Sequence, residues 1–454
     1  MKLLLHLLAL LLVLTAHAAP KPNVLFLFAD DMRADSIAAL GNPVVKTPAL
    51  DCLVQRGFAF TNAYCLGGNS AAVCTPSRNM LLSGKAFFRW KDHVSAMGGK
   101  KQQKGMLCPG EGLNLPASMK EAGYATYHHG KRGNTALEIQ ARFEINKYLP
   151  NDEIDRKDGE PGRLIADEAI AFVKDRKDAR PFFMYLAFGN PHDPRVAAPK
   201  YLDLYQRDAI PLPKNFLPQH PFDNGEMSIR DEKLSPWPRT EAEIRRHLHE
   251  YYAVITGMDH HMGRITAALK ETGQLENTLI VFSADQGIAI GSHGLLGKQN
   301  LYNAGMNAPL IFAGPSIPQG RSAALVYLLD IYPTLCELTA APLAAGIDGI
   351  SFKPVLLGQA KAARPELFFA YRDVQRALMD ERFKLIRYPQ INRTQLFDVA
   401  ADPHETHDLS ADTAHSARIA EMMARLAKQQ RHYTDTLPLT SENPKPAAWS
   451  PPPP

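Results

Sequence analysis

Short, continuous apolar runs, each followed by a helical pattern, constrain this chain more than any other feature. Residues 23–28, 181–188, 278–283 and 309–312 are apolar almost throughout, and each run has the length of one strand. A strand that is apolar on both faces must be covered on both faces. Between the runs lie helical stretches. Residues 48–56 are closed by Gly57, 115–122 by Gly123 and 241–272 by Gly273, while 162–174 sets Ile165, Ala169, Phe172 and Val173 on one side. Residues 58–64 and 124–128 add two further strands. Strands alternating with helices predict an α/β fold with a parallel sheet between helical layers.

After about residue 358 the pattern changes. Short strands at 367–371, 377–379 and 383–388, with a helix near 414–430, predict a smaller α+β unit. The division expected is a leader over 1–18, a main domain over 19–358, a terminal unit over 359–435 and a Pro-rich tail over 436–454, of which 444–454 is expected to lack order. Residues 144–158 and the Pro-rich 209–239 read as loops; a long loop inside a compact domain is usually functional. The leader has Met1-Lys2, an apolar stretch from 3 to 14 broken only by His6, and Ala16-His17-Ala18 as a cleavage site. That stretch is short for a membrane span, no later one is longer, and no cysteine follows the cleavage site. The mature chain is therefore expected to begin near Ala19, to be exported and soluble, and to have no membrane anchor.

The net charge of +4 is small, and apart from Lys100-Lys101 with Lys104 the basic residues are not blocked into runs. Nucleic acid is not an expected partner. Of the five cysteines, Cys52, Cys65, Cys108 and Cys336 can form disulfides in three connectivities or remain reduced thiols.

Chemistry concentrates at a few points. In Cys74-Thr75-Pro76-Ser77-Arg78, Thr75 suits an N-cap and Pro76 a first helical residue, which puts Cys74 just ahead of a helix N-terminus. Free N–H groups there favour an anion, and Arg78 in the first turn adds a planar donor fork. Asp30-Asp31 and Asp285-Gln286 each follow a strand, where ligands bind in open α/β sheets. Taken singly, such pairs are also ordinary turn formers. Together they can converge on one hard cation such as Ca²⁺, which takes about 6–8 oxygen ligands.

The run from Cys74 to Arg78, continued by Leu82-Ser83-Gly84, resembles the signature of the type I sulfatases. Further parallels run in family order as far as about Leu409. The resemblance implies an alkaline-phosphatase-like fold: a large mixed sheet flanked by helices, with a smaller C-terminal α+β domain. Segments 383–386, 396–398 and Asp402-Pro403 are similar to the family's C-terminal pattern. It also implies that a maturation enzyme oxidises Cys74 to formylglycine (3-oxoalanine), whose hydrate is the nucleophile. The implied metal ligands are Asp30, Asp31, Asp285, Gln286 and Cys74 itself. Gln286 departs from the family's Asn or His.

Arg78, Lys131 and Lys298 are the implied sulfate-binding cations, and His192, in Asn190-Pro191-His192, is the implied acid for the leaving oxygen. Where the family often has a second histidine after Lys131, this chain has Gly133; His128 or His129 could compensate. His293 is a further candidate for substrate contact. On this reading the chain is an exported, calcium-dependent sulfuric ester hydrolase acting on a sulfated saccharide. His220 and Asn224 of the long loop, and Arg372, are expected to line the sugar side of the pocket. Two alternatives stand beside it: a phosphatase or phosphonate monoester hydrolase of the same superfamily, and a non-catalytic glycan-binding relative.

Overall fold

The computed structural model describes residues 21–90, 112–149 and 157–451. The leader over 1–18, Cys108 and the lysines at 100, 101 and 104 lie outside the described residues. The apolar runs form the middle of a nine-stranded sheet. Strands β1 (Asn23–Ala29), β6 (Phe182–Ala187) and β7 (Thr278–Ala284) are buried along their whole length. With β2 (Phe58–Tyr64), β4 (Ala125–Gly130), β5 (Ile145–Tyr148), β8 (Asn307–Ala313) and β10 (Val326–Tyr327), the order is β10-β2-β8-β7-β1-β6-β4-β5, and β9 (Gly320–Ser322) pairs with β2.

The expectation of a purely parallel sheet needs correction. Strand β1 runs parallel to both β6 and β7, but β8 is antiparallel to β7 and to β2. The chain between β7 and β8 contains only one short helix, Asn303–Met306, so no long helical crossover returns it to the starting edge. The result is the mixed sheet that the resemblance implies. Residues 144–158 are also not all loop: β5 is the edge strand beside β4. An edge strand need not be apolar, so its pattern was not visible.

The helices cover the sheet. Glu241–Glu271 is the longest, started by Thr240, whose hydroxyl accepts from the Glu243 N–H. It packs on Pro48–Arg56 and Arg163–Asp175. Among the described residues no helix is long and apolar enough to cross a membrane.

A second sheet, order β14-β13-β12-β11-β3, holds β11 (Leu367–Tyr371), β12 (Gln375–Met379), β13 (Phe383–Tyr388) and β14 (Arg393–Asp398), with the helix Ser416–His432 against it. Its fifth strand, β3 (Gly67–Gly68), comes from far earlier in the chain and pairs parallel with β11. A Cβ on Gly68 would meet Pro76 Cγ at 2.4 Å, so only glycine lets this strand lie against the first turn of the helix that begins at Cys74. The small sheet is thereby fastened to the strand end where the chemistry gathers.

The tail is not without order as far as residue 451. It has no helix or strand, yet Ala447 accepts from the Asp223 N–H, Leu439 accepts from Arg387, and Trp449 packs edge-on against Trp237. Of the cysteines, Cys52, Cys65, Cys74 and Cys336 are all unpaired.

Candidate active site

The C-terminal ends of β1, β4, β6 and β7 open on one side of the sheet, and each delivers part of one cluster. Strand β1 ends in Asp30 and Asp31, and β7 in Asp285 and Gln286, all four buried. The Asp31 N–H donates to Asp285 Oδ1 at 2.9 Å, which ties the two strand ends together. Lys131 follows β4. Its backbone reaches that point because Gly130, with φ of 138°, passes the Ala187 carbonyl more closely than any Cβ would permit. His192 follows β6 after the cis-prolyl bond Asn190–Pro191.

The helix Cys74–Ser83 points its N-terminus into this cluster. Thr75 is not its N-cap, as the sequence had suggested; the helix starts at Cys74, with Val73 preceding it. The Thr75 hydroxyl instead accepts from Asn134 Nδ2 at 2.7 Å. The cap position falls two residues earlier, at Val73, and Cys74 becomes part of the first turn.

Three cations lie among the carboxylates. Arg78 is fully buried over the Phe28 ring and donates from Nε to Asp285 Oδ2 at 2.9 Å, with Nη2 3.3 Å from Asp30 Oδ2. Lys131 Nζ is bonded to Asp30 Oδ2. Lys298 Nζ donates to both Asp31 oxygens at 2.8 and 2.7 Å and lies 3.7 Å from Cys74 Sγ. His192 Nε2 stands 3.7 Å from Asp31 Oδ2, and Nδ1 is 2.6 Å from the Asp193 carbonyl. Its side chain is 17% exposed, more than Asp31 or Lys298, so it sits at the mouth.

These charges set one another's protonation. Burial alone would raise the Asp30 carboxyl, but Lys131, Arg78, His192 and Lys298 hold it well below the usual carboxylate range. Burial and then the Asp30 charge push Asp285 up, so the two carboxyls are driven apart. Lys298 keeps its proton firmly: burial works against the charge, and Asp31, Asp30 and Asp231 with the Cys74 sulfur together outweigh it. Burial pushes the Cys74 thiol up to about 12, with Lys298 opposing. At neutral pH almost no thiolate forms, so the encoded cysteine is a poor nucleophile where it stands.

A divalent cation fits this donor set. Carboxylate oxygens of Asp30 and Asp31 lie within 4.8 Å of each other and of a His192 nitrogen, as do those of Asp30 and Asp285 with Cys74 Sγ. Asp30 Oδ1 and Gln286 Oε1 are buried with no hydrogen-bond partner, because Gln286 directs its Nε2 to Asp31 Oδ1 at 2.5 Å. Oxygens left so are costly in an interior and are what a hard cation takes. Arg78 Nη1 is likewise buried and unpartnered, a donor available to an anion. Asp30, Asp31 and Asp285 balance Arg78, Lys131 and Lys298, so a divalent cation would leave the pocket positive and suited to a negatively charged ester.

Other expected residues fall elsewhere. Both nitrogens of His220 are engaged in the interior, with the Phe222 carbonyl at 2.7 Å and the Tyr302 hydroxyl at 3.0 Å. Asn224 is buried and closes a turn by accepting from the Glu226 N–H. His293 stacks on Tyr302 at 3.7 Å and meets Asn215, and no bond joins it to the cluster around Cys74. The structure does not bring these three together with the cluster around Cys74. Arg372 is more open: its side chain is 47% exposed, it pairs with Glu226 of the long loop, and its N–H donates to the Gly68 carbonyl. Neither His128 nor His129 replaces the histidine missing at Gly133. His128 bonds Asn146 and stacks on Tyr185, while His129 alternates to the other face of β4, beside Glu168.

Arg230 and Asp231 were missed altogether. Arg230 bonds Asp193, next to His192, and Asp231 bonds Gln299, next to Lys298. Nothing in a Pro-rich loop marks such residues.

Comparison with known proteins places the chain among relatives. A sulfatase family model matches residues 22–341, and a model described as the C-terminal part of N-sulphoglucosamine sulphohydrolase matches 291–432. An N-acetylglucosamine-6-O-sulfatase of Bacteroides thetaiotaomicron is 25% identical over 92% of this chain and 88% of its own length. An arylsulfatase of Clostridium perfringens is 25% identical over 91% of this chain and 96% of its own. Among solved structures, one in complex with its substrate D-glucosamine-2-N,6-O-disulfate superposes with a TM-score of 0.72 at 22% identity, covering 93% of this chain and all of the other. The phosphonate monoester hydrolase of Agrobacterium radiobacter superposes at 0.73 with 21% identity, covering 91% and 96%. At these identities the superpositions speak for the fold.

Proposed function

The chain belongs to the sulfatase family of sulfuric ester hydrolases, and from that premise we propose that it is an exported, calcium-dependent enzyme releasing sulfate from a carbohydrate. One observation carries the reading most: Cys74, at the start of its helix, shares a buried pocket with three carboxylates, three cations and His192. Export rests on the leader over 1–18, and the carbohydrate on the relatives named for glucosamine sulfates. The division that goes with it is a catalytic domain over 19–358 and a terminal unit over 359–435.

Oxidation of Cys74 to formylglycine by a maturation enzyme would supply a hydrated aldehyde as nucleophile at the helix start. A calcium ion held by Asp30, Asp31, Asp285 and Gln286, with position 74 beside it, would supply Lewis-acid polarisation and a lower nucleophile pKa. The chain's own groups do the rest. Arg78 through its unpartnered Nη1, with Lys131 and Lys298, holds the negative charge of the ester as charge redistributes in the transition state. His192 donates from Nδ1 to the Asp193 carbonyl, and burial with Lys298 favours the neutral ring, so Nε2 at the mouth is an acceptor that must first take up a proton, as from the hydrated nucleophile, before it passes one to the departing oxygen. Water exclusion follows from burial, since among these side chains only His192 is appreciably exposed.

A second reading is favoured by one specific likeness, that to phosphonate monoester hydrolases and to a multifunctional alkaline phosphatase superfamily protein of Trinickia caryophylli. A non-catalytic glycan binder is the third reading, and the complete donor set argues against it. The deciding measurement is turnover of matched sulfate, phosphate and phosphonate esters, followed by a panel of defined sulfated saccharides. Sulfate esters are expected to be preferred; higher kcat/KM on the phosphorus esters would overturn the assignment.

Arg372 supports a prediction about the leaving-group side. Arg372→Ala is expected to raise KM for a sulfated saccharide about tenfold and to leave a small aryl sulfate nearly unchanged, because the small ester lacks a remote group to bind. Equal losses on both would place Arg372 in the fold instead.

A further inference from the structure

One short turn of the long Pro-rich loop, Asp231–Leu234, grips the backbone that presents Lys298. Glu232 is 4% exposed, and its carboxylate accepts from two consecutive N–H groups: Leu296 at 3.0 Å to each oxygen, and Gly297 at 2.8 Å. The next N–H, that of Lys298, donates to Gln299 Oε1 at 3.0 Å, and Gln299 Nε2 donates to Asp231 Oδ2 at 2.8 Å. Three successive backbone donors are thus held from one turn. There is no room for slack: a Cβ on Gly297 would meet Gln299 Oε1 at 2.3 Å and Glu232 Oε1 at 3.2 Å.

Glu232 is itself fixed. Arg239, with no exposed side-chain surface, donates to Glu232 Oε2 at 2.8 Å and to the Glu232 carbonyl at 2.7 Å, and its guanidinium lies 4.1 Å over the Trp237 ring. The charge-assisted bonds from a buried carboxylate to backbone N–H groups are the strong kind, and both partners are shielded from water.

We propose that Glu232 is a positioning residue for sulfate-ester hydrolysis: it sets the 296–298 backbone so that the Lys298 ammonium stands between Asp31 and residue 74. The inference rests on the proposed function, since Lys298 matters here as the cation that holds the ester. It gives the long loop a task different from the sugar-lining one expected of it. A misplacement of a charge-holding group by about 1 Å can cost on the order of 100-fold in rate. A purely structural Glu232 would instead reduce activity by lowering the amount of folded protein, independently of Lys298.

A double-mutant cycle on the full-length, matured enzyme separates the two, with a small aryl sulfate that does not reach the loop as substrate. Glu232→Gln, nearly isosteric, is expected to lower kcat/KM roughly 10- to 100-fold per folded molecule. Lys298→Ala is expected to lower it by about 100- to 1,000-fold. With Lys298 already removed, adding Glu232→Gln is expected to cost less than about threefold, because the group it positions is gone. Losses that multiply in the double variant would overturn the proposal. Gly297→Ala strains the same clamp from the opposite side and is expected to show the same coupling, so the cycle can be run on it if Glu232→Gln does not fold. If the wild type turns over no sulfate ester, the functional reading fails by itself. The coupling is then read from the rise in melting temperature that inorganic sulfate produces in each variant: loss of that rise in Glu232→Gln supports the positioning role, and an unchanged rise overturns it.

Discussion

Cys74→Ala is expected to abolish ester hydrolysis, with a loss on the order of 10⁴-fold or more, while the protein still folds. The expectation of folding comes from the environment of the side chain. Cys74 Sγ makes one long contact, to Lys298 Nζ at 3.7 Å, and the helix that begins at residue 74 is anchored by Arg78 and by the Ser77 hydroxyl on the Asp285 carbonyl. Removing one sulfur leaves those anchors in place. The expectation of lost activity comes from the absence of another nucleophile: the remaining side chains are carboxylates paired to cations, cations, and a histidine at the mouth. Intact-mass analysis should accompany the kinetics. Wild-type protein made with a competent maturation system should show the mass change of thiol to aldehyde at Cys74, and the alanine variant should not. Enzyme that is fully active with an unmodified thiol would remove the formylglycine assignment, and the thiol's rise to about 12 makes that outcome unexpected.

The second large effect is expected at Asp285. Its Oδ1 accepts from the Asp31 and Gln286 N–H groups, its Oδ2 accepts from Arg78, and its charge completes the oxygen set for the cation. Asp285→Ala is expected to cost about 3–5 kcal/mol in stability, since it leaves the fully buried Arg78 with only the more distant Asp30 for balance. Asp285→Asn keeps the shape and both backbone bonds to the Oδ1 position, but sets an NH2 against the Arg78 Nε–H, so it removes the charge and the Arg78 bond together. It is expected to lower kcat by on the order of 100-fold and to weaken metal retention. Gln286→Asn should do less, because it shortens a neutral ligand without removing a charge. Elemental analysis of purified protein, with activity and melting temperature after chelation and after added Ca²⁺, gives the readout. Active enzyme that contains no divalent ion would end the metal assignment.

The sheet's centre was legible because its residues are patterned locally. A strand covered on both faces must be apolar throughout, and 23–28 and 278–283 show this without reference to anything else. The carboxylates of the candidate site were legible for the same reason: Asp30 and Asp285 stand where apolar runs stop, and runs that lie parallel in one sheet stop at the same edge. Helix periodicity likewise placed Glu241–Glu271 to within a residue of its end.

What tertiary structure decided is who stands opposite whom. The reversed direction of β8 and the recruitment of Gly67–Gly68 into the small sheet depend on pairing partners far along the chain, and two glycines have no pattern to read. His220 and Asn224 looked like binding residues because they stand in a long Pro-rich loop, and His293 because of its place downstream of Asp285. They are interior because Tyr302, Asn215 and Gln375 arrive to bond or pack against them. Glu232 is the clearest case: an acid among prolines reads as solvated surface, yet its acceptors face N–H groups 64 and 65 residues further along. Periodicity records which face of an element is buried. A hydrogen bond between distant segments depends on distance and direction in three dimensions, and no local pattern of residue types encodes either.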